Sequence, residues 1–255
     1  MFVGFNLSSL AMTPECENYY YDKGEKLFTK ETKEDFSHLG SYIIKTDTLS
    51  ADLISKDWFP QVNAQIFLSH SHRDQHIVTA FAGWLKKEIG VDAFIDSWAW
   101  GYCDDLIQKM QHTYIKTPNA FIRSHVYMIL STALAKMIDR TECFIFINTQ
   151  QSINIKDIVT NGTSSSWIYH ELLMSNLIRH KSLECHAGRP KPLQESLQIS
   201  YNVNDYINSL HNLTVKDIED WKDIVEDSKK CLPFYNDFTA TDAMDILYEM
   251  KKVPR

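Results

Sequence analysis

The chain is predicted to be an α/β domain whose parallel sheet carries helices on both faces. Three observations predict this. Short apolar runs alternate with segments of helical period, as in a chain that builds strand, helix, strand, helix. Cys143-Phe-Ile-Phe-Ile147 is apolar at every position, as a strand buried on both faces must be. Ile66-Phe-Leu68 breaks abruptly into Ser69-His-Ser-His-Arg-Asp74, as a buried strand does when it delivers polar groups to its C-terminal end, where ligands bind in open α/β sheets.

Composition bounds the reading. The 255 residues suit one domain with extensions, and 44% hydrophobic with 23% charged residues is ordinary for a globular protein. A net charge of −7, with no basic stripe, argues against a dedicated nucleic-acid binder. Cys16, Cys103, Cys143, Cys185 and Cys231 form no C-x-x-C pair, which fits reduced thiols in a cytoplasmic protein. Met1–Met12 is apolar but has no basic leader and is too short for a membrane span. Ala120–Ile138 is longer, but it carries Arg123, His125 and Lys136. Its apolar residues Val126, Ile129, Leu130, Ala133, Leu134, Met137 and Ile138 fall on one helical face, so it is predicted to be a core helix over 125–138.

In order along the chain, residues 1–60 have no clean period and are read as an extension packed on a domain spanning 61–255. Within them 40–45 is a candidate strand and Ser50 a candidate cap for a short helix to Asp57. Ile66–Leu68 is the strand after which a helix keeps Ile77, Ala80, Phe81, Trp84, Leu85 and Ile89 on one face and stops at Gly90. Val91–Asp96 is the next strand. Residues 97–103, Ser-Trp-Ala-Trp-Gly-Tyr-Cys, are expected to be an aromatic loop ahead of a helix over 104–114. Cys143–Ile147, a polar stretch over 148–166, and a helix over 167–180 follow. Leu197–Tyr201 is expected to be a fourth strand. Thr214-x-x-Asp217 opens a helix with Ile218, Trp221 and Val225 inward, and Thr241–Lys252 closes the chain. The loops after the strands should gather at one edge and hold the chemistry.

Two chemistries compete for 69–76. Ser69-His70-Ser-His72-Arg-Asp74-Gln-His76 approaches the H-x-H-x-D-H pattern of metallo-β-lactamase-like zinc hydrolases. Gln75 breaks it, because one extra residue in a helix rotates a side chain by about 100°. His125, His170 and His180 do not sit in the small-residue loops that supply that family's later ligands. The other chemistry involves a nucleotide. Serines 164–166 precede a helix start, and Trp167 and Glu171 are spaced to share one face of it. The aromatic can cover a ring and the carboxylate can reach a ribose. Equally, Trp167 can anchor the helix in the core and Glu171 can answer the helix dipole.

Ile66-Phe-Leu-Ser-His-Ser-His-Arg-Asp74, Phe94-Ile-Asp96 and Trp167-x-x-x-Glu171, in that order, resemble a TIR (Toll/interleukin-1 receptor) domain. The resemblance covers roughly residues 64–180 and is greatest to bacterial NAD-consuming TIR proteins of Thoeris-type anti-phage defence. It implies a flavodoxin-like sheet with Ile66–Leu68 first, Phe94–Asp96 second and Cys143–Ile147 third. It implies NAD+ as substrate rather than cofactor, no metal, and cleavage of the nicotinamide–ribose bond with Glu171 catalytic. Ser69, His70, Ser71, Arg73, Asp96, Trp98, Trp100 and Trp167 are its implied substrate contacts, the aromatics of 97–103 lying in the family's BB loop. Self-association and a downstream effector that senses an ADP-ribose-derived product are implied partners. A TIR adaptor that only binds other TIR domains is the alternative, and the zinc hydrolase is a second one. The helix over 125–138, the stretch 148–166 and residues 1–60 all enlarge the family's minimal fold.

Overall fold

A computed structural model of the chain describes residues 3–31, 42–45, 48–149, 152, 162–163, 165–179, 201–202, 204–231 and 238–253. In chain order these form β1 (Val3–Ser8), α1 (Pro14–Glu31), β2 (Ile43–Lys45), β3 (Thr48–Leu49), α2 (Ala51–Trp58), β4 (Ile66–Ser69), α3 (Gln75–Trp84), β5 (Ala93–Ile95), α4 (Asp96–Thr113), α5 (Asn119–Arg140) and β6 (Cys143–Asn148). After them come β7 (Gly162–Thr163), α6 (Ser166–Arg179), β8 (Tyr201–Asn202), α7 (Asn204–Ser209), β9 (His211–Leu213), α8 (Val215–Cys231) and α9 (Ala240–Met250).

Five strands make one parallel sheet in the order β5-β4-β6-β1-β9. The predicted α/β class, a flavodoxin-like parallel sheet flanked by helices, is therefore what the chain adopts. The strands at Ile66, Ala93 and Cys143 stand as second-first-third, as in flavodoxin-like sheets. The next place holds β1, paired to β6 from Val3↔Cys143 to Ser8↔Asn148. Residues 3–8, read from sequence as part of an extension, are thus an interior strand. Val3, Phe5 and Leu7 are buried on one face in strict alternation. The expected fourth strand at 197–201 is not in this sheet. Residues 197–200 lie outside the described residues, and Tyr201–Asn202 pairs antiparallel with Gly162–Thr163. The outer place beside β1 belongs to His211–Leu213.

The pleat separates two cores. Phe67, Phe94, Phe144 and Phe146 point to one face, under residues of α2, α4, α5, α6 and α7. The Phe67 ring lies 5.3 Å from Phe94 and 5.7 Å from Phe144. Ile66, Leu68, Ala93, Ile95, Cys143, Ile145 and Ile147 point to the other, under α3, α8 and α9. The predicted inward face of α5 holds: Val126, Leu130, Ala133, Leu134, Met137 and Ile138 are buried, with Ile129 packed at the edge. α3 continues into a π turn, Leu85–Ile89, and ends at Gly90, whose φ of 91° is left-handed. Ser50 caps α2 by accepting from the Leu53 N–H. Thr214 and Asp217 cap α8 reciprocally. α1 lies across α3 at glycine contacts: a Cβ on Gly24 would fall 2.1 Å from the Thr79 carbonyl oxygen, and one on Gly83 2.1 Å from that of Tyr20.

α8 is tied to α9 by Trp221, fully buried, whose indole N–H donates to the Ala243 carbonyl at 2.8 Å. Trp221→Ala is expected to cost about 3–5 kcal/mol in denaturant unfolding, from the lost aromatic volume and the lost indole hydrogen bond. A loss under ~1 kcal/mol would show that this face is not closed as described. Among the described residues no helix is long and apolar enough to cross a membrane. Cys16, Cys103 and Cys143 are free thiols.

Candidate functional site

The pleat also decides which polar groups meet. Ser69 is two residues beyond Phe67, and Asp96 two beyond Phe94, so both continue the phenylalanine face at the C-terminal ends of neighbouring strands. α6 covers that face through Ile168 and Leu172. Glu171 comes down with them. The Ser69 hydroxyl donates to Glu171 Oε2 at 2.7 Å. The carboxyl groups of Glu171 and Asp96 meet in the same buried space, where Glu171 Oε1 and Asp96 Oδ2 have no other donor. His70 Nδ1 lies 2.6 Å from Asp96 Oδ1, which also accepts the Ser97 backbone N–H at 2.7 Å. Ser69, His70, Asp96 and Glu171 are all 0% exposed.

Two buried carboxyl groups this close favour one shared proton, and the hydrogen bond it makes, over two like charges. Burial is the largest cause lifting the Glu171 pKa well above the ordinary carboxylate range; the charge of Asp96 adds to it, and the Ser69 hydroxyl and His70 oppose it. Burial likewise lifts Asp96, against the hydrogen bonds from Glu171, the Ser97 backbone and the His70 backbone. Burial pushes the His70 imidazole down to about 4, although Glu171 and Asp74 pull the other way, so it is neutral at physiological pH. The cluster is an acid pair holding a proton, with a hydroxyl on one carboxyl and an imidazole against the other.

The remaining predicted site residues are distributed as follows. Ser71 is buried, and its carbonyl accepts the Asp74 N–H in a 3-10 turn formed by His72–Asp74. His72 and Arg73 are exposed on that turn. Asp74 stands at the cap position of α3 but makes no side-chain cap bond; its carboxylate accepts instead from the Thr149 hydroxyl at 2.6 Å, tying the loop after β4 to the loop after β6. His76 lies away on α3, stacked on Tyr21 at 4.1 Å with Nδ1 2.6 Å from Glu17. Among the described residues no three His, Cys, Asp or Glu side chains are arranged to hold a metal ion.

The expected aromatic loop at 97–103 is helix: α4 begins at Asp96, directly after β5. The segment contains no proline, and an acid in the first turn suits the dipole. Trp98 is not brought to the acid pair. It packs edge-on against Phe94 at 6.4 Å and lines a cavity of about 300 Å³ with Trp58, Leu134 and Met137. That cavity is bordered by Ala64, Asp92 and Ala93, at the opposite end of β4 and β5, and includes none of the four buried polar residues. The Trp100 side chain lies outside the described residues. Trp167 is half-buried in the first turn of α6 and meets Tyr127 of α5 edge-on at 5.8 Å. Ser165, before the helix, accepts the Ile168 N–H at 3.3 Å, as a cap does. Thr149 lies in the stretch 148–166 expected at this edge, but its tie to Asp74 was not foreseen; a lone threonine in a polar stretch carries no sequence signal for such a tie. Compared with family models, with curated proteins and with solved structures, the chain matches none.

Proposed function

We propose that the chain cleaves the nicotinamide–ribose bond of NAD+, with Glu171 as the catalytic residue. The supporting observation is the acid pair itself: Glu171 buried against Asp96 and Ser69 at the ligand edge of a parallel sheet. Holding two carboxyl groups away from water costs stability, and such clusters concentrate at functional sites. Nicotinamide in NAD+ is a cationic leaving group and needs no protonation, so the bond breaks toward an oxocarbenium-like ribose. A carboxylate beside that ribose stabilises the developing charge and accepts from its hydroxyls. The positive ring also lowers the pKa of any carboxyl group it approaches, so substrate favours release of the shared proton and the ionised form of Glu171. Ser69 fixes the carboxyl rotamer, and His70 and Ser97 hold Asp96. Entry of substrate requires Glu171 to separate from this closed arrangement. An ADP-ribose-derived product sensed by a downstream effector in anti-phage defence, and assembly of several copies into the active form, complete this reading.

The zero exposure of Glu171 favours a second reading, in which the cluster only stabilises a non-catalytic module that acts by binding other TIR-like domains. Nicotinamide release from NAD+, followed by chromatography, separates the two. The expected result is turnover by the wild-type chain and a fall of about 100- to 1,000-fold in Glu171→Gln, in line with removal of one electrostatic stabiliser. Unchanged turnover in Glu171→Gln would remove Glu171 from the mechanism. Absence of turnover by wild type, concentrated or supplied with phage lysate, would favour the binding module.

A further inference from the structure

The resemblance makes Asp96 a substrate contact, yet its carboxyl group is turned inward onto Glu171. Each acid has one oxygen anchored. Asp96 Oδ1 accepts the Ser97 backbone N–H at 2.7 Å and lies 2.6 Å from His70 Nδ1. Glu171 Oε2 accepts the Ser69 hydroxyl at 2.7 Å. The other oxygen of each, Asp96 Oδ2 and Glu171 Oε1, is buried with no other donor. One proton between these two oxygens satisfies both, and its loss leaves two like charges out of water.

The surroundings decide which acid carries that proton. Asp96 is the first residue of α4, an 18-residue helix whose dipole favours a negative charge there, and the Ser97 N–H steadies the same charge. Glu171 lies in the second turn of α6, where the dipole has faded, and is met by a neutral hydroxyl. The proton therefore rests on Glu171 and the charge on Asp96. The titratable groups around the pair leave this division in place. His70, at the end of β4, is neutral, and Asp74 beyond it adds negative charge. His170, beside Glu171 on α6, is held toward its neutral form by burial. We infer that Asp96 is a positioning residue, which keeps Glu171 protonated in the resting site so that its carboxylate forms when a cationic ring arrives. In that step the Glu171 O–H bond breaks, its electron pair stays on the carboxylate, and the proton passes to water. The catalytic part rests on NAD+ cleavage by Glu171; the resting place of the proton does not.

Carbon-13 NMR of the full 255-residue chain, labelled at the glutamate and aspartate side-chain carboxyl carbons, follows the proton directly. Loss of a signal in Glu171→Gln and in Asp96→Asn assigns the two carbons. In wild type they are expected to titrate together, as a pair sharing one proton does, with Glu171 protonated above the ordinary carboxylate range. In Asp96→Asn the new carbonyl still accepts the Ser97 N–H and the new amide donates to Glu171. With the like charge gone, Glu171 is expected to titrate at least about one pH unit lower. Nicotinamide release from NAD+ between pH 5 and 8 should follow: the acid fall in kcat/KM moves down with the Glu171 signal, about tenfold in rate at its acid end. Independent titration of the two carbons in wild type overturns the inference, whether or not Asp96→Asn folds. So does a Glu171 signal that titrates unchanged in Asp96→Asn. A shifted signal with an unshifted rate profile removes Asp96 from the catalytic step. Wild type that releases no nicotinamide, while its carbons titrate as expected, removes NAD+ cleavage and leaves the resting proton where it is placed here.

Discussion

Glu171→Gln is expected to melt above the wild-type protein at pH 8, and the gap is expected to close toward pH 5. Gln is nearly isosteric. Its carbonyl can accept from Ser69, and its amide can donate to an ionised Asp96, so both hydrogen bonds survive while the buried proton is no longer needed. The folded pKa of Glu171 is raised by burial above its unfolded value. The stability it contributes is therefore fully present below the unfolded carboxylate pKa and is lost as pH rises toward the folded pKa. Asp96, raised in the same way, adds a slope of the same sign. His70, lowered to about 4, works oppositely, losing stability as pH falls from its unfolded value toward 4; it is present in both proteins and largely cancels in the comparison. Through the titration window the gap should widen by about 1.4 kcal/mol per pH unit, roughly 3–6 °C per unit for a chain of this size. Calorimetric melts at pH 5, 6, 7 and 8 measure it. Parallel curves for the two proteins would mean that Glu171 is not held protonated in the fold.

Gly83→Ala and Gly24→Ala are each expected to lower stability by about 1–3 kcal/mol, the cost of overpacking, although alanine is the better helix former by about 1 kcal/mol. The reason is the kind of atom met. The new methyl at residue 83 would press on the Tyr20 carbonyl oxygen at 2.1 Å and the Gly24 nitrogen at 2.7 Å, and the one at residue 24 on the Thr79 carbonyl oxygen at 2.1 Å. Backbone cannot rotate away as a side chain can, so α1 must lift from α3. Lifting also disturbs the contacts beside the crossing, where Tyr20 donates to Glu88 at 2.8 Å and Tyr21 stacks on His76. Once one substitution has separated the helices, the second has less to disrupt, so the double variant should cost less than the two single losses together. Urea unfolding of the three variants decides this; a Gly24→Ala protein as stable as wild type would show that the helices do not cross at these glycines.

The fold was legible where burial is complete. Cys143–Ile147 and Ile66–Leu68 are apolar without interruption because sheet and helices cover both faces, and α5 kept its period because one side of it is core. The site was legible in part. Ser69, His70, Asp96 and Glu171 were named from sequence, and the structure brings these four together. The i, i+2 relation of Phe67 to Ser69 and of Phe94 to Asp96 carried their shared face. Two misreadings have physical causes. The aromatic residues at 98, 100 and 102 suggested a loop, but nothing in 97–103 breaks a helix, and tertiary packing of Trp98 on Phe94 is compatible with one. Val3–Ser8 does alternate, yet a six-residue strand separated from its partners by most of the chain offers no local evidence of which sheet it joins. The Asp74–Thr149 tie was invisible for the same reason.

The place of β1 makes assembly of this sheet a matter of timing. Ribosomes release Val3–Ser8 before either neighbour, and those neighbours, Cys143–Asn148 and His211–Leu213, follow much later. Until then an apolar strand with two unpaired edges has to wait, which is the circumstance that invites mispairing with other nascent chains. Contacts so distant along the chain also slow the final closure. The helix that follows immediately, α1, is polar on most of its surface and keeps the waiting strand attached to a well-hydrated segment. The sheet thus closes only when its earliest-made strand meets its last two.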